Sequence, residues 1–147
     1  MLRFEILDIS GDAGIRAFGD DLKELFISAA MGMYSLITNT EAFRATKEIA
    51  VSVESGSLEG LLVSWLNELI FHFDAYGFIG KTIALSELTS REDGAAAKQF
   101  RITASVSGEE FDPKRHEGKL LVKAATYHKL SIRKTGGRWR TEIIFDI

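Results

Sequence analysis

The chain has 147 residues, 46% hydrophobic and 27% charged, with one proline, no cysteine and a formal net charge of −3. This composition excludes collagen-like, low-complexity and disordered chains, and the lack of cysteine excludes a disulfide scaffold, a cysteine nucleophile and thiolate zinc ligands. No apolar run approaches the ~18 residues that a membrane span needs, and the opening MLRFEILDIS reads as a strand rather than a signal peptide. The expectation is one domain over residues 1–147, working in the cytoplasm without a membrane.

Arg3 to Leu7 alternates as a strand, and Ala13 to Phe18 reads as a second, joined by the turn formers Asp8 to Asp12. Asp20 or Asp21 suits the N-cap of a helix whose stripe is Leu22, Leu25, Phe26, Ala29, Met33, Leu36 and Ile37. Ile49, Val51 and Val53 alternate with polar residues as a half-buried strand. Ser57 then caps a second helix carrying Leu58, Leu61, Leu62, Trp65, Leu66, Leu69 and Phe73, which Gly77 ends.

The second half reads as β. Strands are expected over Phe78–Leu88, Phe100–Ser107, Leu120–Ala125, Tyr127–Arg133 and Arg138–Phe145, with a loop from Ser90 to Lys98 that includes Glu92-Asp93-Gly94. Gly108 to Lys119 reads as irregular and holds the lone Pro113, and Gly136-Gly137 is a hairpin turn. The fold class is α+β: two helices packed on a mostly antiparallel sheet that curls or forms a sandwich.

Charge is unevenly placed. Residues 1–111 hold nine basic against 17 acidic side chains, whereas residues 112–140 hold nine basic against two acidic. Such a segment suits a nucleic acid, a nucleotide or an acidic protein face. It equally suits the wet faces of edge strands, where lysine blocks aggregation.

The motif scan excludes more than it finds. There is no phosphate-cradling Gly-x-x-x-x-Gly-Lys-Ser/Thr loop and no Gly-x-Ser-x-Gly elbow, and Gly11-Asp12-Ala13-Gly14 is too short for a dinucleotide fingerprint. His72, His116 and His128 are too scattered for a helical zinc pair. Two features remain. Asp8 and Asp12 in the first loop, with Asp146 and the terminal carboxylate of Ile147, are hard oxygen donors of the kind Ca²⁺ or Mg²⁺ prefers. The same loop residues could equally satisfy local turn amides. The stretch Gly108 to His116 combines acids, Arg115 and His116, which suits a phosphate, a partner protein or an ordered surface loop.

Six segments, in order along the chain, resemble the archease family. They are Leu7 to Ala17, Met33 to Thr38, Trp65 to Leu69, Gly108 to His116, Val122 to His128 and Ile144 to Ile147. The resemblance implies a small α+β cofactor protein for an RtcB-type RNA-splicing ligase. Such a protein promotes GTP-dependent guanylylation of the ligase and its repeated turnover, with no reaction of its own, and meets RNA indirectly through the ligase. It also implies a divalent metal, calcium before magnesium or manganese, held by Asp12, Asp146 and the Ile147 carboxylate, with Asn39 as a further oxygen. Arg115, His116, Lys123 and His128 become candidates for the ligase contact. The chain departs from the family pattern at Ile9, where histidine is common, and at Asn39 and Ser64, where aspartate is common. A neutral amide at Asn39 leaves less charge to hold a cation. The alternative is a metal-independent protein-interaction or chaperone-like module of the same fold. An independent hydrolase ranks last, because no ordered nucleophile and acid–base pair is visible.

Overall fold

Two long helical stripes set between runs of alternating residues resolve into two antiparallel sheets bridged by two helices. The computed structural model describes residues 3–91 and 98–147. The first sheet runs β1 (Phe4–Leu7), β2 (Ala13–Gly19), β8 (Arg138–Asp146) and β6 (Ala124–Ala125), and β7 (Ile132–Thr135) also pairs with β8. The second has the order β3 (Lys47–Ser55), β5 (Gln99–Glu110), β4 (Phe78–Arg91). This is the α+β architecture expected from the pattern, with the curled sheet resolved into two.

α1 (Leu22–Ile37) starts where Asp21 accepts a hydrogen bond from the Glu24 backbone N–H at 2.8 Å. α2 (Leu58–Tyr76) starts where the Ser57 hydroxyl accepts from the Gly60 N–H at 2.9 Å. It ends at Gly77, whose φ of 70° is left-handed and tolerated best by glycine. α1 packs on β1 and β2 of one sheet and on β4 of the other, while α2 packs on β3, β5 and β6. The helices meet through the Trp65 indole, which donates to the Phe26 carbonyl at 3.0 Å. Trp65, Phe26, Tyr34, Ile15 and Phe145 are fully enclosed in the shared core.

Three expected elements differ. Of Leu120–Ala125 only Ala124–Ala125 is strand, because the backbone N–H groups of Lys119 and Leu120 instead donate to the Ile37 and Leu36 carbonyls at the end of α1. That crossing satisfies two carbonyls a helix C-terminus leaves open. Tyr127–Arg133 is strand only from Ile132. A turn closes from Leu130 N–H to the Tyr127 carbonyl, and Lys129 sits at φ 54°, outside any strand. Gly108–Glu110 belong to β5 rather than to the irregular stretch. In the loop expected over Ser90–Lys98, residues 92–97 lie outside the described residues, and Ser90 and Arg91 continue β4.

Candidate functional site

The irregular stretch after β5 is organised around a buried histidine–carboxylate hydrogen bond. His116 is buried, and its ring stacks on Phe43 with centroids 3.7 Å apart at 12°. The Asp112 backbone N–H donates to His116 Nδ1 at 2.8 Å, so the ring proton belongs on Nε2, which faces Glu109 Oε1 at 3.0 Å. The same carboxylate accepts from the Arg44 backbone N–H at 3.2 Å and pairs with the Arg115 guanidinium at 2.9 Å. Burial pushes the Glu109 pKa up, but hydrogen bonds from Arg115, the Arg44 amide and His116 outweigh it and hold the carboxyl below its ordinary value. The result is a rigid brace with one exposed member, Arg115, aimed by Glu109 and also 3.7 Å from Asp112.

Lys123 and His128 are exposed on the segment flanking β6. The Lys123 N–H donates to the Asp146 carbonyl at 2.8 Å, and the His128 N–H to the Thr126 hydroxyl at 3.3 Å. Leu121 and Tyr127, beside them in the chain, are 64% and 61% exposed. His116, by contrast, is no surface ligand, because both ring nitrogens are committed internally.

The expected divalent-metal site is corrected. β8 does pin the chain's acidic end beside the first loop. Ala13 pairs with Phe145, so Asp12 and Asp146 lie one residue past the same cross-strand pair. Beyond those two the donor set fails. Among the described residues no group of three or more His, Cys, Asp or Glu is placed to hold a metal ion. Asn39 is exposed, and its amide oxygen accepts from the Glu41 N–H at 3.1 Å, which caps the one-turn 3-10 helix Thr40–Ala42. Asp12 and Asp146 are exposed, as is Ile147. Calcium takes 6–8 oxygens at ~2.4 Å, and two exposed carboxylates with a chain end do not supply that cage. Asp12, Asp146, Ile147 and Asn39 therefore do not fit as a resident calcium, magnesium or manganese site.

The sequence marks the acids of Gly108 to His116 together with Arg115 and His116, but not Phe43, since a lone aromatic is no signal. Nor does it mark Arg133 beside Arg140, although the Gly136-Gly137 turn fixes that pairing.

Comparison with known proteins then decides the family. The Archease protein family model matches residues 4–147. The chain belongs to the archease family. An archease of Pyrococcus furiosus is 34% identical over 148 residues, covering 100% of both chains, and one of Methanosarcina mazei is 32% identical over 145 residues, covering 99% of this chain and 96% of that one. The solution structure of a Methanobacterium thermoautotrophicum protein superposes with a TM-score of 0.80 at 31% identity, over 100% of both chains. A Thermotoga maritima archease, described as a possible chaperone, matches at a TM-score of 0.60 and 18% identity, over 96% of this chain and 94% of that one, and so shares the fold.

Proposed function

We propose that this archease is a non-catalytic protein activator of an RtcB-type RNA-splicing ligase. It acts in the cytoplasm as one domain over residues 1–147. It promotes GTP-dependent guanylylation of the ligase and repeated turnover in tRNA splicing and RNA repair. The single observation that carries this reading is family membership along essentially the whole chain. Activation is assigned to surface contact, with no step through a metal held by this chain.

The contact we assign uses Arg115, Lys123 and His128. Arg115 is a guanidinium already fixed by Glu109, so little rotamer freedom is lost when it meets a partner carboxylate. Lys123 and His128 lie near exposed Leu121 and Tyr127 in the chain, a mix of polar and apolar surface that suits a protein interface. His116 serves as the positioning residue behind Arg115, through Glu109.

Multiple-turnover ligation by the cognate ligase tests the reading. Native chain should raise the number of turnovers over ligase alone. Arg115→Ala and the double variant Lys123→Ala/His128→Ala, each confirmed folded by circular dichroism, should raise it less. Stimulation equal to native in both variants would move the contact elsewhere. No stimulation by folded native chain would overturn the activator role and favour the chaperone-like alternative.

A further inference from the structure

The outer face of the first sheet carries a cationic pocket that the ligase reading leaves unused. Lys129, Ser131, Arg133, Thr135, Arg140 and Glu142 line a cavity of about 250 Å³. Arg133 and Arg140 are direct cross-strand partners in the β7–β8 hairpin. Like charges placed opposite each other destabilise a sheet, so the pairing is unfavourable in the free protein. Glu142 does not relieve it fully. Its carboxylate pairs with Arg140 at 3.1 Å and with Arg16 at 2.7 Å, and Arg16 is also held by Glu5 at 3.1 Å, so this network is balanced by its own members and leaves Arg133 without a counter-charge. Among the described residues no carboxylate lies within ion-pair distance of Lys129 or Arg133. Lys129 is also the sole non-glycine residue with positive φ among the described residues, at 54°. A lysine held in that sparsely populated conformation marks a place where backbone strain is tolerated at a site.

We propose that this pocket binds a phosphate of a single-stranded RNA backbone. Guanidiniums and hydroxyls from Arg133, Arg140, Ser131 and Thr135 form a donor set suited to phosphate oxygens. The cavity is below the ~300 Å³ at which pockets begin to enclose small organic ligands, and its lining offers no apolar floor for a base. It therefore takes a phosphate and leaves the base outside, as a strand passing over the surface requires. Positive charge continues on the same face of the hairpin through Arg138, two residues before Arg140 in β8 and 4.9 Å from the Phe18 ring. Binding to the chain alone does not depend on ligase activation. Only the choice of RNA over other phosphodiester strands rests on that reading.

Fluorescence anisotropy with a labelled single-stranded RNA oligonucleotide and the full chain tests the proposal. Native chain should bind at low salt, and the logarithm of its affinity should fall linearly with log salt, by about −0.7 in slope for each phosphate neutralised. Arg133→Gln should weaken binding at least several-fold and make that slope shallower by roughly 0.7. Lys129→Gly should weaken binding while raising the melting temperature, because glycine accepts the left-handed backbone. Lys114→Gln, which removes an exposed charge outside the pocket, should bind as native does. Inorganic phosphate and GTP mark the two other sources of the same chemistry, and neither should displace the oligonucleotide at its own binding concentration. Absence of RNA binding, native-like binding by both Arg133→Gln and Lys129→Gly, or displacement by GTP at matched concentration would each overturn the proposal. Because ligase stimulation is scored separately, failure here leaves the activator reading standing.

Discussion

His116 Nε2 lies 3.0 Å from Glu109 Oε1, and the same ring stacks on Phe43 at 3.7 Å. The two partners are seven positions apart in the chain, yet each closes the other's hydrogen-bonding needs away from water. His116→Ala should therefore remove a packed ring and leave Glu109 and the Asp112 amide short of a partner. The expected cost is ~2–4 kcal/mol, read as a lower urea midpoint with an unchanged slope. A loss below ~0.5 kcal/mol, within the range of an ordinary surface substitution, would contradict the brace.

Acid should unfold the protein partly through this pair. Glu109 titrates below its ordinary value because the bonds from Arg115, the Arg44 amide and His116 outweigh burial, and Glu142 does so chiefly because of Arg16. A carboxyl depressed in the folded state stabilises fully above its unfolded pKa of ~4.3 and loses that stabilisation as pH falls through the folded value. Urea midpoints should thus be flat near neutrality and fall below about pH 4.3. Glu109→Gln should be less stable at pH 7 and show a shallower acid limb. An acid limb identical to native would remove Glu109 from the account.

Tyr34 offers the opposite sign. Its hydroxyl is buried in the core beside the Gly80 backbone, reaches no partner in hydrogen-bonding geometry, and burial pushes its pKa well up. Tyr34→Phe removes an unsatisfied polar group and keeps the ring. Stability should be unchanged or should rise by up to ~1 kcal/mol. A fall of more than ~1 kcal/mol would reveal a hydrogen bond of net value there.

Calcium should leave the fold indifferent. A ligand at a hundred times its dissociation constant adds ~2.7 kcal/mol, or a rise of roughly 5–10 °C for a chain this size. With Asn39 capping Glu41 and two exposed carboxylates left over, millimolar calcium should move the melting temperature by less than ~1 °C. A rise of several degrees that vanishes in Asp146→Asn would restore the site.

Much of the frame was legible because local chemistry and tertiary packing agree. Asp21, Ser57 and Gly77 bound the helices where their types predict, and Gly136-Gly137 sets the last hairpin. Leu120 and Leu121 misled because the apolar run there crosses the end of α1, where the Lys119 and Leu120 amides are used, a non-local demand invisible to periodicity. The acidic site misled differently. Residue types at the two chain ends suggested a cage, and register did bring Asp12 to Asp146, but a cage needs further charged oxygens that this chain does not place there. The Glu109–His116 pair was readable only in part. A buried role for His116 follows from Phe43, more than 70 positions earlier, which no spacing rule connects to it.

The most direct test of activation by surface contact is multiple-turnover ligation by the cognate ligase, comparing native chain with Asp12→Asn/Asp146→Asn. Circular dichroism and melting temperature would show both chains folded. The account predicts more turnovers than ligase alone with either chain, and equal stimulation by the two. Loss of stimulation in the double variant would place the acidic end in the mechanism. No stimulation by native chain would contradict the activator role itself.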